Sequence, residues 1–474
     1  MRERTRSVAL IVSIVATGLL SFCGVMVETS INIAFPALMR EFGVASNEVQ
    51  WTTTGYLLVL AILMPASGYL IRRFCMRHLF VAACALFSIG LVVDACAPSF
   101  AVLVVGRLLQ GAGTACALPL MFDIVYTQVP ERSVGSMAGI ASFTTSIAPA
   151  VGPSLGGVLI QLFGWRSVFW SLLPIAVLAC VLGARALRII DDPNRHRTTP
   201  FDMLGFLLLA SCSTGILIGM SNLEQLGSQA LFVVVPLAIA WLAGAACVIH
   251  SRTCDQPLID WHIFKSRTFA FSSAALITGQ AVCLGLNYLL PNAMQLVLGT
   301  STAIAGMALV PGCLAMAATV LLSGQAFDRF GPRTPILAGA LAAVAACLLL
   351  ALAGGRAPLG ILIAGHALFS AGQASTNVSV RTLGLTSLPP HLISSGNAFT
   401  NTVQQLAGGV GTALCASAVS IAQASGASGA GADATALAQA TAAGTEAAYL
   451  CMLACTVLLV LFSLRALART EQTR

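Results

Sequence analysis

The charged run GQAFDRFGPR, Gly324 to Arg333, has a weaker copy half a chain earlier in GYLIRRFCMR, Gly68 to Arg77. In one register the two share a glycine (Gly68, Gly324), an arginine (Arg73, Arg329), a phenylalanine (Phe74, Phe330) and a second arginine (Arg77, Arg333). Each copy lies between two long apolar stretches, so each is the charged bend of an apolar hairpin. A membrane chain that repeats such a hairpin is built from two like bundles. Two facing bundles are the layout of a carrier that rocks about a central site.

The apolar stretches demand a membrane. Only 9% of residues are charged, 57% are apolar and the mean hydropathy is +0.90, against about 25% charged in a soluble domain. Windows of about 20 residues give fourteen expected spans. Six lie near 8–27, 51–71, 78–97, 100–126, 136–162 and 167–187. Two follow near 203–220 and 231–249, and six more near 269–290, 302–327, 335–353, 360–380, 395–423 and 447–464. With both termini cytoplasmic, all 24 basic residues except Arg40, Arg107, Arg166 and Arg356 fall on the cytoplasmic side, as the positive-inside rule requires. Dropping one span would scramble that partition. The net charge of +7 is then a consequence of topology and calls for no nucleic-acid partner.

The fifteen cysteines sit mostly within spans without a C-x-x-C pair, so they read as small packing residues rather than disulfides or metal ligands. The first apolar run is too long for a signal-peptide core and ends in no A-x-A site, so it reads as a retained helix.

A second register extends the repeat. It pairs Gly106 with Gly365, Ala112–Gly113 with Ala371–Gly372, Pro130 with Pro389, Ser136 with Ser395, and Val151–Gly152 with Val410–Gly411. The expected organisation is an all-α membrane protein with a six-helix bundle over 1–187 and another over 266–474. Between them, 188–265 is a connector carrying extra helices 7 and 8. The Arg188–Asp202 link reads as a polar cytoplasmic connector, and the Ala/Gly/Ser-rich stretch Ala424–Gly444 as a flexible outer loop.

Ionisable groups at midspan cost about 3 kcal/mol each on insertion scales, so those retained point to function. Glu28 and Arg107 each lie about 20 residues from the inner end of spans 1 and 4, at similar depth, and Asn32 follows Glu28 on the same face. Arg107, Gln110 and Thr114 form one polar stripe on span 4; His366, Ser370, Gln373 and Asn377 form another on span 12. Asn397, Asn401, Gln404 and Gln405 do likewise on span 13, and Gln280 with Asn287 on span 9. Interhelical hydrogen bonding is the competing explanation for such stripes, and packing an equally good one for His366. Asp94 and Asp123, near span ends, read as solvated or capping residues. APAVGPSLGG, Ala148 to Gly157, puts two prolines and three glycines into span 5, a bendable and closely packed helix.

These residues resemble the major facilitator superfamily, in particular its fourteen-helix drug:proton antiporters of the multidrug efflux type, over essentially the whole chain. GQAFDRFGPR is similar to the loop motif G-x-x-x-D-R-x-G-R-[KR], and VVGRLLQGAGTA to the fourth-helix motif R-x-x-Q-G-x-G. APAVGPSLGG is similar to the exporter signature G-P-x-x-G-G, and VETSINIAFPAL to the first-helix motif D-x-T-I-V-N-V-A-L-P. The first-half loop departs from the pattern, with Arg72 where Asp is usual and Cys75 where Gly is usual.

The resemblance implies a major facilitator fold and a secondary carrier in the bacterial inner or plasma membrane, driven by the proton gradient with no cofactor and no metal. It implies that Glu28 titrates, that Arg107 assists proton transfer, and that Gly152, Pro153, Gly156 and Gly157 shape the exporter helix. Gly68, Arg73, Arg77, Gly324, Asp328, Arg329 and Arg333 would form the conformational loops. Asn32, Gln110, Thr114, Gln280, Asn287, His366, Gln373 and Asn377 are the expected lining of a substrate cavity. The expected activity is export of lipophilic drugs or toxic compounds by alternating access; one deep carboxylate favours cations among them. An exporter of an endogenous metabolite or biosynthetic product would use the same machinery. An uptake symporter is disfavoured by APAVGPSLGG, and a sensor by the lack of a soluble signalling domain. An enzyme is disfavoured because no nucleophile–base or metal-ligand constellation appears. A monomer is expected; by the same resemblance, some exporters of this family in two-membrane bacteria work with a periplasmic adaptor protein.

Overall fold

A computed structural model describes residues 2–44, 46–49, 51–190, 200–223, 229–254, 257–427 and 434–471; the side chains of Asn32 and Pro153 and most of the Arg188–Asp202 link lie outside the described set. All described regular structure is helical. The helices are α1 Arg2–Phe42, α2 Ser46–Val49, α3 Trp51–Arg73, α4 Met76–Ala95, α5 Phe100–Gln128, α6 Val134–Ser146, α7 Ala148–Phe163 and α8 Arg166–Ile190. Then come α9 Met203–Ser221, α10 Leu231–Thr253, α11 Arg267–Leu296, α12 Thr302–Met307, α13 Val310–Phe330, α14 Arg333–Ala353, α15 Leu359–Thr386, α16 Ile393–Ala427 and α17 Ala434–Glu471. Twelve stretches among the described residues are long and apolar enough to cross a membrane. The two expected spans outside that set are 136–162 and 360–380.

Both exceptions have a local cause. The 136–162 stretch is divided at Ile147 into α6 and α7, neither long enough to cross alone. Pro149, in the first turn of α7, has no N–H to continue the ladder of the preceding helix. Pro311 has the same effect between α12 and α13, where the chain turns at Ala308–Leu309. The 360–380 stretch is one unbroken helix, α15, but its polar stripe lowers its hydropathy. The expected outer loop at Ala424–Gly444 is a correction: α16 runs to Ala427 and α17 starts at Ala434. Alanine has the highest helix propensity and tolerates this extension.

The described chain packs as two compact units. One comprises Met1–Ala210, His250–Asp260 and Pro389–Asn401; the other comprises Ser211–Ile249, Trp261–Leu388 and Thr402–Arg474. In the first, α1 packs on α5, α7 and α8, and α4 packs on α5 and α8. Glycines set these distances: at Gly90 a β-carbon would meet the Gly106 carbonyl at 2.7 Å, and at Gly113 the Ala83 carbonyl at 2.6 Å. The Pro389–Asn401 segment belongs here because Ser394 Oγ donates to Asp123 Oδ1 (2.5 Å), Asn397 Nδ2 to the Pro119 carbonyl (2.7 Å) and Arg72 Nη1 to Ser395 Oγ (2.6 Å). Asp123 is therefore fully buried rather than solvated. Gly68 also lies against this segment, at Ala398 and the Ser394 carbonyl.

In the second unit, α15 packs on α11, α13 and α14, and α17 on α11 and α14. Its core joins Leu286, Leu290, Met294, Leu350, Phe369, Tyr449 and Met452. The two loop copies turn differently. Gly331 sits at φ +78° and closes α13 through its N–H to the Phe327 carbonyl. Its counterpart Cys75 has φ −56° and ψ 134°, since a side chain disfavours the left-handed region.

Candidate functional site: a buried arginine between two carboxylates

Arg107 is the largest fully buried side chain described, and burying a guanidinium is tolerable only with partners. Its Nε donates to the Thr52 carbonyl on α3 (2.9 Å), its Nη1 to Gln110 Oε1 (2.6 Å), and its Cζ stands 4.5 Å over the Tyr56 ring. Nη2 is buried without a hydrogen bond, as is the Tyr56 hydroxyl. Three groups lie within electrostatic reach of the guanidinium: Asp94, Tyr56 and Glu28. Glu28, expected at the same depth as Arg107, is the one of the three that comes from α1. Glu28 is half-buried on α1.

Asp94 is the residue that the sequence misplaced. It is fully buried, and its Oδ2 accepts from Gln110 Nε2 at 2.8 Å. A β-carbon at Gly106 would overlap the Asp94 carboxylate, so this glycine, next to Arg107 in sequence, makes room for the acid. The glycines Gly90 and Gly106 are the trace this crossing leaves in the sequence, but their pairing is visible only in the fold. Of the α5 stripe, Gln110 bridges arginine and aspartate, whereas Thr114 Oγ1 turns back to the Gln110 carbonyl (3.0 Å).

The glycines of the α7 motif pack on the α1 turn that carries Glu28. A β-carbon at Gly152 would overlap Thr29 Oγ1, and one at Gly156 would meet Ser30 Cβ at 2.7 Å. Ser30 Oγ donates to the Gly152 carbonyl at 2.8 Å. Gly157 is half-buried. Asn32 and Pro153 fall outside the described side chains.

In the second unit the structure groups part of the expected lining. His366 Nε2 lies 3.2 Å from Asn287 Oδ1 and 3.4 Å from Ser370 Oγ, while its Nδ1 is buried without a hydrogen bond. Gln373 packs against Gly279. Gln280 and Asn377 are half-buried and stand apart from that group in its hydrogen bonding. Among the loop residues, Gly324 is buried, Arg73, Arg77 and Asp328 are half-buried, Arg333 is exposed, and exposed Arg329 lies over the Phe330 ring at 5.3 Å.

Two other polar clusters serve packing. Glu41 accepts from Trp165 Nε1 and Arg166 Nη1, both at 2.6 Å, while Arg166 Nη2 donates to the Ala97 carbonyl (2.9 Å). This ties α1, α4 and α8 together. The Trp165 and Arg166 hydrogen bonds hold the Glu41 carboxyl below the ordinary range. Asp202, His250 and Cys254 bring possible metal-ligand atoms within 4.8 Å of one another. The Asp202 oxygens, however, already accept from Gly205 N (2.8 Å) and Leu258 N (3.2 Å) and pair with His250 Nε2 (2.7 Å). That arrangement is a helix cap and a clip between α9 and α10. All fifteen cysteines are free.

The comparisons agree with this architecture. The Major Facilitator Superfamily model matches residues 17–412. The lincomycin resistance protein LmrB of Listeria monocytogenes is 31% identical over 422 residues, covering 89% of this chain and 88% of LmrB. The multidrug resistance protein B homolog of Mycobacterium tuberculosis is 31% identical over 392 residues, covering 81% of this chain and 72% of the relative. Among solved structures, the human organic anion transporter MFSD10 (TETRAN) superposes with a TM-score of 0.65 at 16% identity, covering 94% of this chain and 99% of that one. The proton:xylose symporter XylE does so with a TM-score of 0.64 at 18% identity, covering 96% and 95%. Both share the fold at this identity. The chain is a multi-pass membrane transporter, not an enzyme, and belongs to the Major Facilitator Superfamily.

Proposed function

We propose that this chain is a proton-coupled exporter of lipophilic compounds, cations among them, working by alternating access as a fourteen-helix drug:proton antiporter. The observation that carries the reading is the α7 glycine pair seated on the α1 turn of Glu28, which itself lies within reach of buried Arg107. An element able to bend thus touches the element bearing the acid. The names of the relatives, lincomycin resistance and multidrug resistance, support drugs as substrates. In this reading α6 with α7 forms one crossing and α15 another, giving fourteen. Both termini are cytoplasmic, the halves 1–187 and 266–474 flank the connector 188–265, and the carrier is a monomer.

The chemistry follows from charge. A proton entering from outside neutralises Glu28 and releases the substrate; loss of that proton inside readies the site for the next. A monovalent cation exchanged for one proton moves no net charge, and the drive is about 1.4 kcal/mol per pH unit. A neutral substrate also gains about 2.3 kcal/mol per 100 mV. The polar groups at Asn287, His366 and Gln373 would line the substrate path in the second half, with no cofactor beyond the proton gradient. The test is growth and efflux in a pump-deficient host under a panel that includes lincomycin and ethidium, comparing native chain with Glu28→Gln. Glu28→Gln is expected to reach the membrane and to abolish proton-coupled efflux. Unchanged efflux overturns the coupling role.

A further inference from the structure

We infer that Asp94 is a positioning residue for the proton-coupling pair: it competes with Glu28 for the Arg107 guanidinium. This rests on the reading of Glu28 and Arg107 just given and adds a member to it. The geometry is specific. Asp94 Oδ2 is tied through Gln110 to Arg107 Nη1, by bonds of 2.8 and 2.6 Å. The other carboxylate oxygen, Oδ1, is buried with no hydrogen bond, and so is Arg107 Nη2. An anion and a cation therefore each keep one unused valence in the same buried cluster. The guanidinium is pinned along its other edge by Thr52 and by the Tyr56 ring, so its freedom is a small swing of the Nη2 corner.

Charge counting gives the consequence. Two carboxylates and one guanidinium leave one uncompensated negative charge, and an unpaired buried charge is costly. The cluster is relieved by holding one proton between its two acids. When Arg107 serves Asp94, Glu28 holds the proton; when Arg107 serves Glu28, Asp94 holds it. Asp94 thereby keeps the arginine from claiming Glu28 permanently, as a lone Arg–Glu pair would.

The surrounding groups allow this balance. α4 packs chiefly on α5 and α8 and touches α1 and α3. The charged group that faces Asp94 is Arg107 on α5, and the neutral Gln110 bonds to it; Glu28 on α1 and the phenol of Tyr56 on α3 reach the same guanidinium. From the α8 side Arg166 reaches the Ala97 carbonyl, but it is paired with Glu41 at 2.6 Å. It is thus already neutralised.

The experiment titrates the purified chain in lipid and follows the carboxylic-acid C=O band by infrared difference spectroscopy. Native chain, Asp94→Asn, Glu28→Gln and the double variant are compared, with the double variant as the blank for all other carboxyls. Asp94→Asn keeps the volume and an acceptor for Gln110 Nε2, so it removes charge with little else. One titrating proton is expected in the native chain. In Asp94→Asn its midpoint moves to lower pH by about 1 to 3 units, the effect of an unshared adjacent cation on a carboxylate. Glu28→Gln shifts the remaining band in the same direction. A midpoint that Asp94→Asn leaves in place overturns the inference, and so does a band that survives unshifted in Glu28→Gln. Because the readout needs no substrate, failure of the exporter reading shows up separately, as a native chain without efflux in the compound panel.

Discussion

Gly152→Ala tests whether the exporter-motif helix is locked to the turn of Glu28. The added methyl would overlap Thr29 Oγ1 and would stand 3.1 Å from Thr29 Cβ and 3.2 Å from the Met26 carbonyl. Rotating the Thr29 hydroxyl relieves the first contact but breaks its back-bonds to the Val25 and Met26 carbonyls, at 3.1 and 3.2 Å. The other two contacts involve Cβ and backbone, which no rotamer can move. α1 and α7 must therefore separate by a few tenths of an ångström, stretching the 2.8 Å bond from Ser30 Oγ to the Gly152 carbonyl. Overpacking of this kind costs about 1–3 kcal/mol.

The assay is thermal unfolding in detergent, followed by a thiol-reactive dye that reports exposure of the buried cysteines, with drug efflux measured in parallel. Gly152→Ala is expected to lower the midpoint and to cut efflux by more than the loss of protein in the membrane. Thr29→Ala alone removes only locally bonded atoms and should cost little. Combined, Thr29→Ala should restore part of what Gly152→Ala loses, with a coupling of about 0.5–3 kcal/mol for residues in direct contact. Full rescue is not expected, because the backbone contact at Met26 remains. Strictly additive effects would refute the close approach of α7 to α1.

Four further outcomes are expected. Arg107→Lys should abolish efflux while sparing expression, because an ammonium cannot reproduce the Nε and Nη1 bonds and the stacking on Tyr56 together; transport at native rates would contradict this. The Glu41 carboxyl, held low by Trp165 and Arg166, contributes stability that is present above its unfolded value near 4.5 and is lost as pH falls through its lower folded value. The melting midpoints of native chain and Glu41→Gln should therefore differ at neutral pH and converge in acid. Asp202→Ala, which uncaps α9 and leaves Leu258 N–H unpaired, should lower stability by about 1–2 kcal/mol, read as an earlier thermal transition with efflux per folded molecule preserved. Finally, impermeant maleimide on intact cells should label Gly164→Cys but not His391→Cys in a cysteine-free background, since α6–α7 and α15 both cross the membrane in the fourteen-helix reading.

Much of the helical segmentation was legible because apolar runs of membrane length are a strong signal and their charged bends are short. Arg107 and Glu28 stood out for the same reason: a charge in an apolar run is conspicuous. Asp94 did not, since a carboxylate one residue from a helix end looks the same in sequence whether it meets water or a neighbouring helix. What decides the matter is the close crossing of α4 and α5 at Gly90 and Gly106, a tertiary fact. Asp123 was misjudged for a related reason. Its partner Ser394 is 271 residues away in the chain, and no periodicity in α5 could announce it.

The repeat itself shows where two similar sequences part ways physically. Gly331 and Cys75 occupy equivalent places in the two loops, yet only Gly331 adopts positive φ and caps its helix with a bond to Phe327. Cys75 stays extended, and the first loop leaves Arg72 reaching Ser395 at 2.6 Å. Where the second loop keeps Asp328 from the motif, the first has an arginine, and that arginine holds the Pro389–Asn401 segment by a hydrogen bond. The two departures have separate effects: at 75 the missing glycine changes the turn, and at 72, three residues earlier, the arginine supplies a contact that the motif aspartate could not make in the same way.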